Sequence, residues 1–217
     1  MIKAVIFDLD GLLLDSEIVA FKVYEELGKR FHFTLTLPDF MENFCGRPLR
    51  RNVAYCNERF QLPWELEEAV EEVLRIEKKI LDEGVDVMPG ARELLSYLKE
   101  NGYKTCVASS SARARSMGLL EKHDLVKFFD DFVFGPEVEK GKPNPDIFLK
   151  AAEKVGIAPE NCLVLEDSQA GIQAGYSAGM YVICIPDLKY PTEEYVEMAT
   201  AVKESLFDII EYLNKER

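Results

Sequence analysis

Ala4-Val5-Ile6-Phe7-Asp8-Leu9-Asp10-Gly11 decides how the rest of the chain is read. Four apolar residues in a row, two of them β-branched, form a short strand buried on both faces, as in a parallel sheet. The run then breaks into two carboxylates two residues apart. Side chains on a strand alternate faces, so Asp8 and Asp10 start on the same side, roughly 6.6 Å apart along the chain. Gly11 frees the backbone to turn. Two like charges about 4 Å apart repel by ~4 kcal/mol at an effective dielectric near 20. Such a pair at a half-buried strand end calls for a cation or a raised pKa, and the chain must supply the rest of that site.

Working outward, no strand follows until after residue 84, and the periodicity is helical throughout. Ser16 is placed to cap a helix running to about Arg30, with Val19, Val23, Leu27 and Phe31 at helical spacing. Pro38-Asp39 starts a short helix ending near Cys45-Gly46, and Arg50 to Phe60 reads as another. Leu62-Pro63-Trp64 opens a long one, with Pro63 at its first position and Val70, Val73, Leu74, Ile80 and Leu81 as apolar positions. Beyond Met88-Pro89-Gly90, helices and strands alternate. Helices are expected over residues 91–101, from Ser111 to about His123, and over 146–155, 168–178 and 205–214. Strands are expected over 105–108, 132–134, 162–165 and 181–185. That alternation predicts a doubly wound, parallel α/β sheet. Its first strand precedes the helical block, so residues 16–84 form an all-α insertion into a core of residues 1–15 and 85–217.

Composition narrows the function classes. The 217 residues are 47% hydrophobic and 30% charged, ordinary for a globular protein. No apolar run is long enough to span a bilayer, and no signal peptide is visible. The five cysteines include no C-x-x-C pair, and three lie in apolar runs, where buried thiols and a reducing cytoplasm are expected. A formal charge of −13 argues against nucleic acid and anionic membranes as partners. An anionic substrate would need a locally positive site. A monomer is expected.

In open α/β sheets ligands bind outside the carboxyl ends of the strands. Those ends here carry Asp8 and Asp10, Ser109, the Gly141-Lys142-Pro143 loop, and Glu166-Asp167. Each has a bland alternative: a loop cap for the aspartates, a helix cap for Ser109 or Glu166-Asp167-Ser168, a solvated charge run around Lys142. Their convergence on one edge in complementary types favours function. Carboxylate oxygens suit a hard cation such as Mg²⁺, and a hydroxyl and an ammonium suit phosphate oxygens. His32 and His123 are placed poorly for a Ser-His-Asp triad, and no glycine-rich nucleotide loop is present.

The set Asp8-Leu9-Asp10-Gly11, Ser109, Lys142 and Glu166-Asp167 resembles the four motifs of the haloacid dehalogenase superfamily, in its β-phosphoglucomutase-like phosphatase branch. The long matches are Gly141-Lys142-Pro143-Asn144-Pro145-Asp146-Ile147-Phe148 and Leu165-Glu166-Asp167-Ser168-Gln169-Ala170-Gly171-Ile172. The resemblance implies a helical cap inserted after the first motif and an enzyme acting on a small phosphorylated metabolite with Mg²⁺. It implies that Asp8 attacks phosphorus and that Asp10 carries the proton. Ser109, Ser110 and Lys142 bind the transferring phosphoryl group together with Asp8. Asp8, the Asp10 carbonyl and Asp167 hold the metal, with Glu166 direct or through water. It further implies that the loop Cys45-Gly46-Arg47-Pro48-Leu49-Arg50 faces substrate, making Gly46, Arg47 and Arg50 candidates for recognition and Lys78 and Lys79 weaker ones. Dehalogenases of the superfamily lack the second aspartate, so Asp10 argues for phosphate chemistry. Mutases of the branch carry a histidine five residues after the position of Asp15. Ala20 stands there, which favours hydrolysis over a phosphomutase. A phospho-acceptor signalling module is the remote alternative, disfavoured by the D-x-D, the insertion and the length.

Overall fold

The computed structural model describes residues 1–215 and divides into two compact units, Met1–Leu14 with Val87–Arg217, and Asp15–Asp86. The first is a six-stranded parallel sheet. Its strands are β1 (Ala4–Phe7), β2 (Lys104–Ser109), β3 (Asp131–Phe134), β4 (Cys162–Glu166), β5 (Tyr181–Cys184) and β6 (Ala201–Val202), in the order β3-β2-β1-β4-β5-β6. β1 lies between β2 and β4, which explains its complete burial. From β1 the chain proceeds to one side and from β4 to the other. The switch point where open α/β sheets bind ligands therefore falls between β1 and β4.

The helical insertion contains α1 (Glu17–Phe31), α2 (Leu37–Asn43), α3 (Leu49–Phe60) and α4 (Leu66–Glu83). Val19, Val23 and Leu27 are buried on α1 as their spacing predicts. Ser16 stands at its N-cap, but its hydroxyl makes no capping bond. α4 differs from expectation at its start. It begins at Leu66, so Pro63 lies outside it. Trp64 is instead tied down by its indole N–H donating to Asn57 Oδ1 at 2.7 Å and by an edge contact with Phe31, 4.7 Å between ring centres. The buried face of α4 carries Ala69, Val73, Ile76 and Leu81. Leu74 sits one residue, about 100°, around the helix from Val73 and is exposed.

In the core, α5 (Ala91–Glu100), α6 (Arg113–Lys122), α7 (Asp146–Val155), α8 (Gln169–Ser177), α9 (Glu193–Met198) and α10 (Phe207–Lys215) connect or follow the strands. Leu94, Leu95 and Leu98 of α5 are fully buried. α7 ends at Gly156, which takes the left-handed conformation at φ 70°. One face of the sheet packs Ala4, Ile6, Cys106 and Val164 against Ile147 and Phe148 of α7 and Ile172 of α8. The alternate residues Val5, Phe7, Leu163 and Leu165 are equally buried, so both faces are covered. α9 and the two-residue β6 were not expected from the sequence. Cys56, Cys106, Cys162 and Cys184 are buried thiols, and burial pushes Cys106 up to about 12. No helix among the described residues is long and apolar enough to cross a membrane.

Candidate active site

Register brings the first three groups level. Phe7 pairs with Val107 of β2 and Leu165 of β4, so the next residues, Asp8, Ala108 and Glu166, stand side by side where three central strands end. The Asp8 amide donates to the Leu165 carbonyl at 3.0 Å, carrying the ladder one residue past β1. Lys142 reaches this edge from the loop before α7. Its ammonium donates to Asp8 Oδ1, to the Ala108 carbonyl at 3.0 Å and to Glu166 Oε1 at 2.6 Å. An ammonium has three protons, and these three acceptors use them all. The Phe148 ring lies 4.9 Å from the same nitrogen.

Glu166 is wholly buried. Besides Lys142 on one oxygen, its other oxygen accepts from the amides of Asp167 and Ser168, both at 3.1 Å, and from the Ser168 hydroxyl at 2.9 Å. Ser168 then caps α8, its Oγ accepting from the Gly171 amide at 3.1 Å. Gly171 leaves the room for this arrangement. A Cβ there would fall 1.8 Å from Glu166 Cδ.

The triad of Asp8, Glu166 and Lys142 carries one more negative than positive charge, out of water. Burial, above all, pushes the Asp8 carboxyl up to about 7, with the charges of Glu166 and Asp10 adding and Lys142 opposing. Burial works against the Lys142 charge too, but Asp8 and Glu166 outweigh it and hold the ammonium well above the usual lysine range.

Asp10 belongs to a different set of contacts. β1 ends at Phe7, and the chain loops so that Asp10 bridges to Leu14 and Gly11 takes φ 79°. Ser111 Oγ donates to Asp10 Oδ2 at 2.9 Å, and Arg115 Nη1 donates to Oδ1 at 2.8 Å and Oδ2 at 3.1 Å. Neither Ser111 nor Arg115 was anticipated from the sequence. Their spacing of four across the start of α6 was the available signal. Ser109 is buried at the end of β2, its hydroxyl accepting from the Ser111 amide at 3.1 Å. Ser110 is exposed, and its carbonyl passes so close to Gly135 that a Cβ there would meet it at 2.2 Å.

Asp167 comes back against the turn after Asp10: a Cβ on Gly11 would lie 2.4 Å from Asp167 Oδ2. Asp8, Asp167 and the Asp10 carbonyl are hard oxygen donors of the kind that suits Mg²⁺. Among the described residues no three His, Cys, Asp or Glu side chains form a ready cage. Mg²⁺ keeps several waters and needs no such cage, and a buried carboxylate with excess negative charge beside it is what a cation would relieve. The residues present fit that ion.

The remaining candidates lie in the insertion. Gly46 is exposed with φ 71°. The loop it belongs to is pinned by the Asn52 side-chain amide, which donates to the carbonyls of Phe44 at 2.8 Å and Arg47 at 3.4 Å. Arg47 is half-buried. Arg50 is exposed and makes a two-point ion pair with Glu67. Lys78 pairs with Asp82 at 2.6 Å, and Ala20 lies on α1.

Residues 5–185 match the model of the haloacid dehalogenase-like hydrolases. The chain is 34% identical over 178 residues to the phosphorylated carbohydrates phosphatase of Thermotoga maritima, covering 82% of each. It is 31% identical to the 6-phosphogluconate phosphatase of Escherichia coli, covering 83% of this chain and 81% of that one. Among solved structures, a β-phosphoglucomutase from Clostridium difficile superposes with a TM-score of 0.79 at 26% identity, covering 100% of this chain and 97% of the other. With the strand-end constellation above, these likenesses settle the family: the chain belongs to the haloacid dehalogenase-like hydrolases, as a phosphatase of the β-phosphoglucomutase-like branch.

Proposed function

We propose that the protein is a Mg²⁺-dependent phosphatase that hydrolyses a small phosphorylated metabolite, a sugar phosphate by preference, through an aspartyl-phosphate (acyl phosphate) intermediate on Asp8. The observation that carries this reading is the Lys142 ammonium joined at once to Asp8, Glu166 and the Ala108 carbonyl at the switch point of the sheet. Lys142 holds one oxygen of Asp8 and so aims the other. In the first step that oxygen bonds to phosphorus while the phosphorus–alkoxide bond breaks, and the departing oxygen takes a proton from Asp10. In the second, water attacks the same phosphorus, gives its proton to Asp10, and the bond to Asp8 breaks. Monoester and water become alcohol and inorganic phosphate, and both aspartates return to their starting state. Ser109, its orientation fixed by the Ser111 amide, and the Ser110 segment bind the phosphoryl oxygens.

Asp8, Asp167 and the Asp10 carbonyl would hold Mg²⁺, which when bound neutralises charge on the phosphoryl group. Both Glu166 oxygens are engaged by Lys142 and by donors at the start of α8, so its part is to organise Lys142, with any link to the cation passing through water. Arg47, on the loop pinned by Asn52, is the stronger candidate in the insertion for an acidic or second phosphate group, because Arg50 is already engaged by Glu67. The buried thiols support a reducing compartment, the cytoplasm, and a monomer suffices for the chemistry.

The experiment is phosphate release from a broad panel of monoesters with Mg²⁺, wild type against Asp8→Asn. Turnover of sugar phosphates by the wild type alone supports the reading; equal rates, or none from either protein, sink it. A second reading, phosphomutase, is favoured by the structural likeness to a β-phosphoglucomutase. Ala20 stands where the mutases of the branch have histidine, so the phosphoryl group goes to water. Phosphorus NMR of β-glucose 1-phosphate separates the two, since accumulating 6-phosphate would mean mutase.

A further inference from the structure

The Asp10 carboxylate is bound from a segment other than the one that carries it. Its backbone lies in the turn after β1, yet its carboxylate is bound by Ser111 and Arg115 from the segment after β2. Arg115 Nη1 also lies 3.2 Å from Ser111 Oγ, which closes a triangle of donors and acceptors. Ser111 lies in the bend just before α6 and Arg115 in its first turn, and both side chains reach the same carboxylate. The same segment fixes Ser109, through the Ser111 amide. Residues 109–115 thus hold the hydroxyl that binds phosphate and the carboxylate that carries the proton.

The simpler explanation is a surface ion pair, and such pairs contribute little. Two observations weigh against it. Only 23% of the Arg115 side chain and 26% of the Asp10 side chain are exposed. In addition, two separate side chains converge on both carboxylate oxygens, which fixes the plane of the group as well as its place.

We infer that Arg115, with Ser111 as its second arm, is the positioning residue for Asp10 and sets the line along which Asp10 passes its proton. The inference rests on the phosphatase reading above. Misplacing a reacting group by 1 Å can cost on the order of 10²-fold in rate, so the clamp has kinetic consequences through Asp10.

The test uses Arg115→Ala, Arg115→Lys and Ser111→Ala in the full chain with saturating Mg²⁺, on an alkyl phosphate and on p-nitrophenyl phosphate. Arg115→Ala should lower kcat on the alkyl ester by roughly 10²-fold while KM stays within about threefold. Arg115→Lys should recover part of the loss, and Ser111→Ala should lose less. With p-nitrophenyl phosphate, whose leaving group needs no proton, the deficit should fall on the water step. Acid quenching of Arg115→Ala should then trap more phosphate on Asp8 than wild type does. Unchanged kinetics, or a tenfold rise in KM at wild-type kcat, would overturn the inference. If the wild type releases no phosphate at all, the phosphatase reading has failed, and the clamp is judged without activity by a double-mutant cycle in urea. Non-additive midpoints for Arg115→Ala and Asp10→Ala would uphold the clamp; additive ones would overturn it.

Discussion

Gly171→Ala asks whether the buried Glu166 carboxylate organises the site. By helix propensity alone the change should stabilise α8 by about 1 kcal/mol. The structure predicts the reverse. The new methyl would fall 1.8 Å from Glu166 Cδ and 1.9 Å from Oε1, so the carboxylate must move. It cannot move freely, because it accepts from Lys142, the Ser168 hydroxyl and two amides while wholly buried. Hydrogen bonds to a charged group contribute ~1.5–3 kcal/mol each, so losing two of the four outweighs the propensity gain and leaves a net loss of about 2–5 kcal/mol. Lys142 loses its anchor in the same step, and kcat should fall by ~10²-fold or more. Urea denaturation and turnover of a monoester measure the two effects. Gly118→Ala is the control, since Gly118 also lies within a helix but a Cβ there meets nothing within 4 Å; it should gain stability and keep its rate. In a Glu166→Ala background, Gly171→Ala should become neutral or stabilising. The reasoning is refuted if Gly171→Ala in the wild-type background behaves like Gly118→Ala.

Asp8 gives a pH-dependent counterpart. Its folded pKa, about 7, lies above the ordinary aspartate value of 3.8, so its favourable contribution is complete below about pH 4 and is lost as pH rises through 7. In chelator above pH 7, Asp8→Asn should therefore unfold at higher urea than wild type, by an amount on the order of 4 kcal/mol at most, with the gap closing near pH 4. Wild type more stable than Asp8→Asn at pH 8 in chelator would contradict the burial argument. Lys142→Met leaves Asp8 and Glu166 facing each other without a cation and should cost about 3–5 kcal/mol, read from denaturation, together with nearly all turnover. Chelation should abolish phosphate release reversibly. Mg²⁺ at a hundred times its Kd should then raise stability by about 2.7 kcal/mol, and Asp167→Ala should blunt that shift in a thermal melt. Arg47→Ala should raise KM for a substrate with a second acidic group and leave kcat nearly intact, whereas Arg50→Ala should change neither.

The sheet was legible because buried parallel strands announce themselves as apolar runs. β1, β2, β4 and β5 all do, and polar residues with little other reason to be there stand at the ends of β2 and β4, Ser109 and Glu166, and just past β1, Asp8. Strand order was not legible, since it depends on which face each connecting helix covers. The two-residue β6 and the polar α9 carry too few apolar positions to show a period. The same-face argument for Asp8 and Asp10 assumed that the strand continues, but it stops at Phe7 and the carboxylates find different partners. The charged run around the loop residue Lys142 gave no local hint that its ammonium would be buried, because its acceptors lie at the ends of three strands far away in sequence. Ser111 falls just before α6 and Arg115 in its first turn, and nothing local marks Asp10 as their target.

The insertion leaves and re-enters the core at neighbouring points. Leu14 bridges Val87 and the Met88 amide donates to the Leu13 carbonyl at 2.9 Å, while within the insertion the Asp15 amide donates to Asp86 at 2.9 Å. For the folding core, the insertion is thus a loop whose ends are already joined. Closure entropy grows only with the logarithm of length, so about 70 residues cost roughly 2.5 kcal/mol more than a four-residue turn, and less once the helices have formed. A core built this way is thermodynamically almost indifferent to what is threaded between Leu14 and Val87. The segment that would choose the substrate can be lengthened, shortened or exchanged while the strands that position Asp8 and Glu166 keep their register and the loop before α7 still presents Lys142.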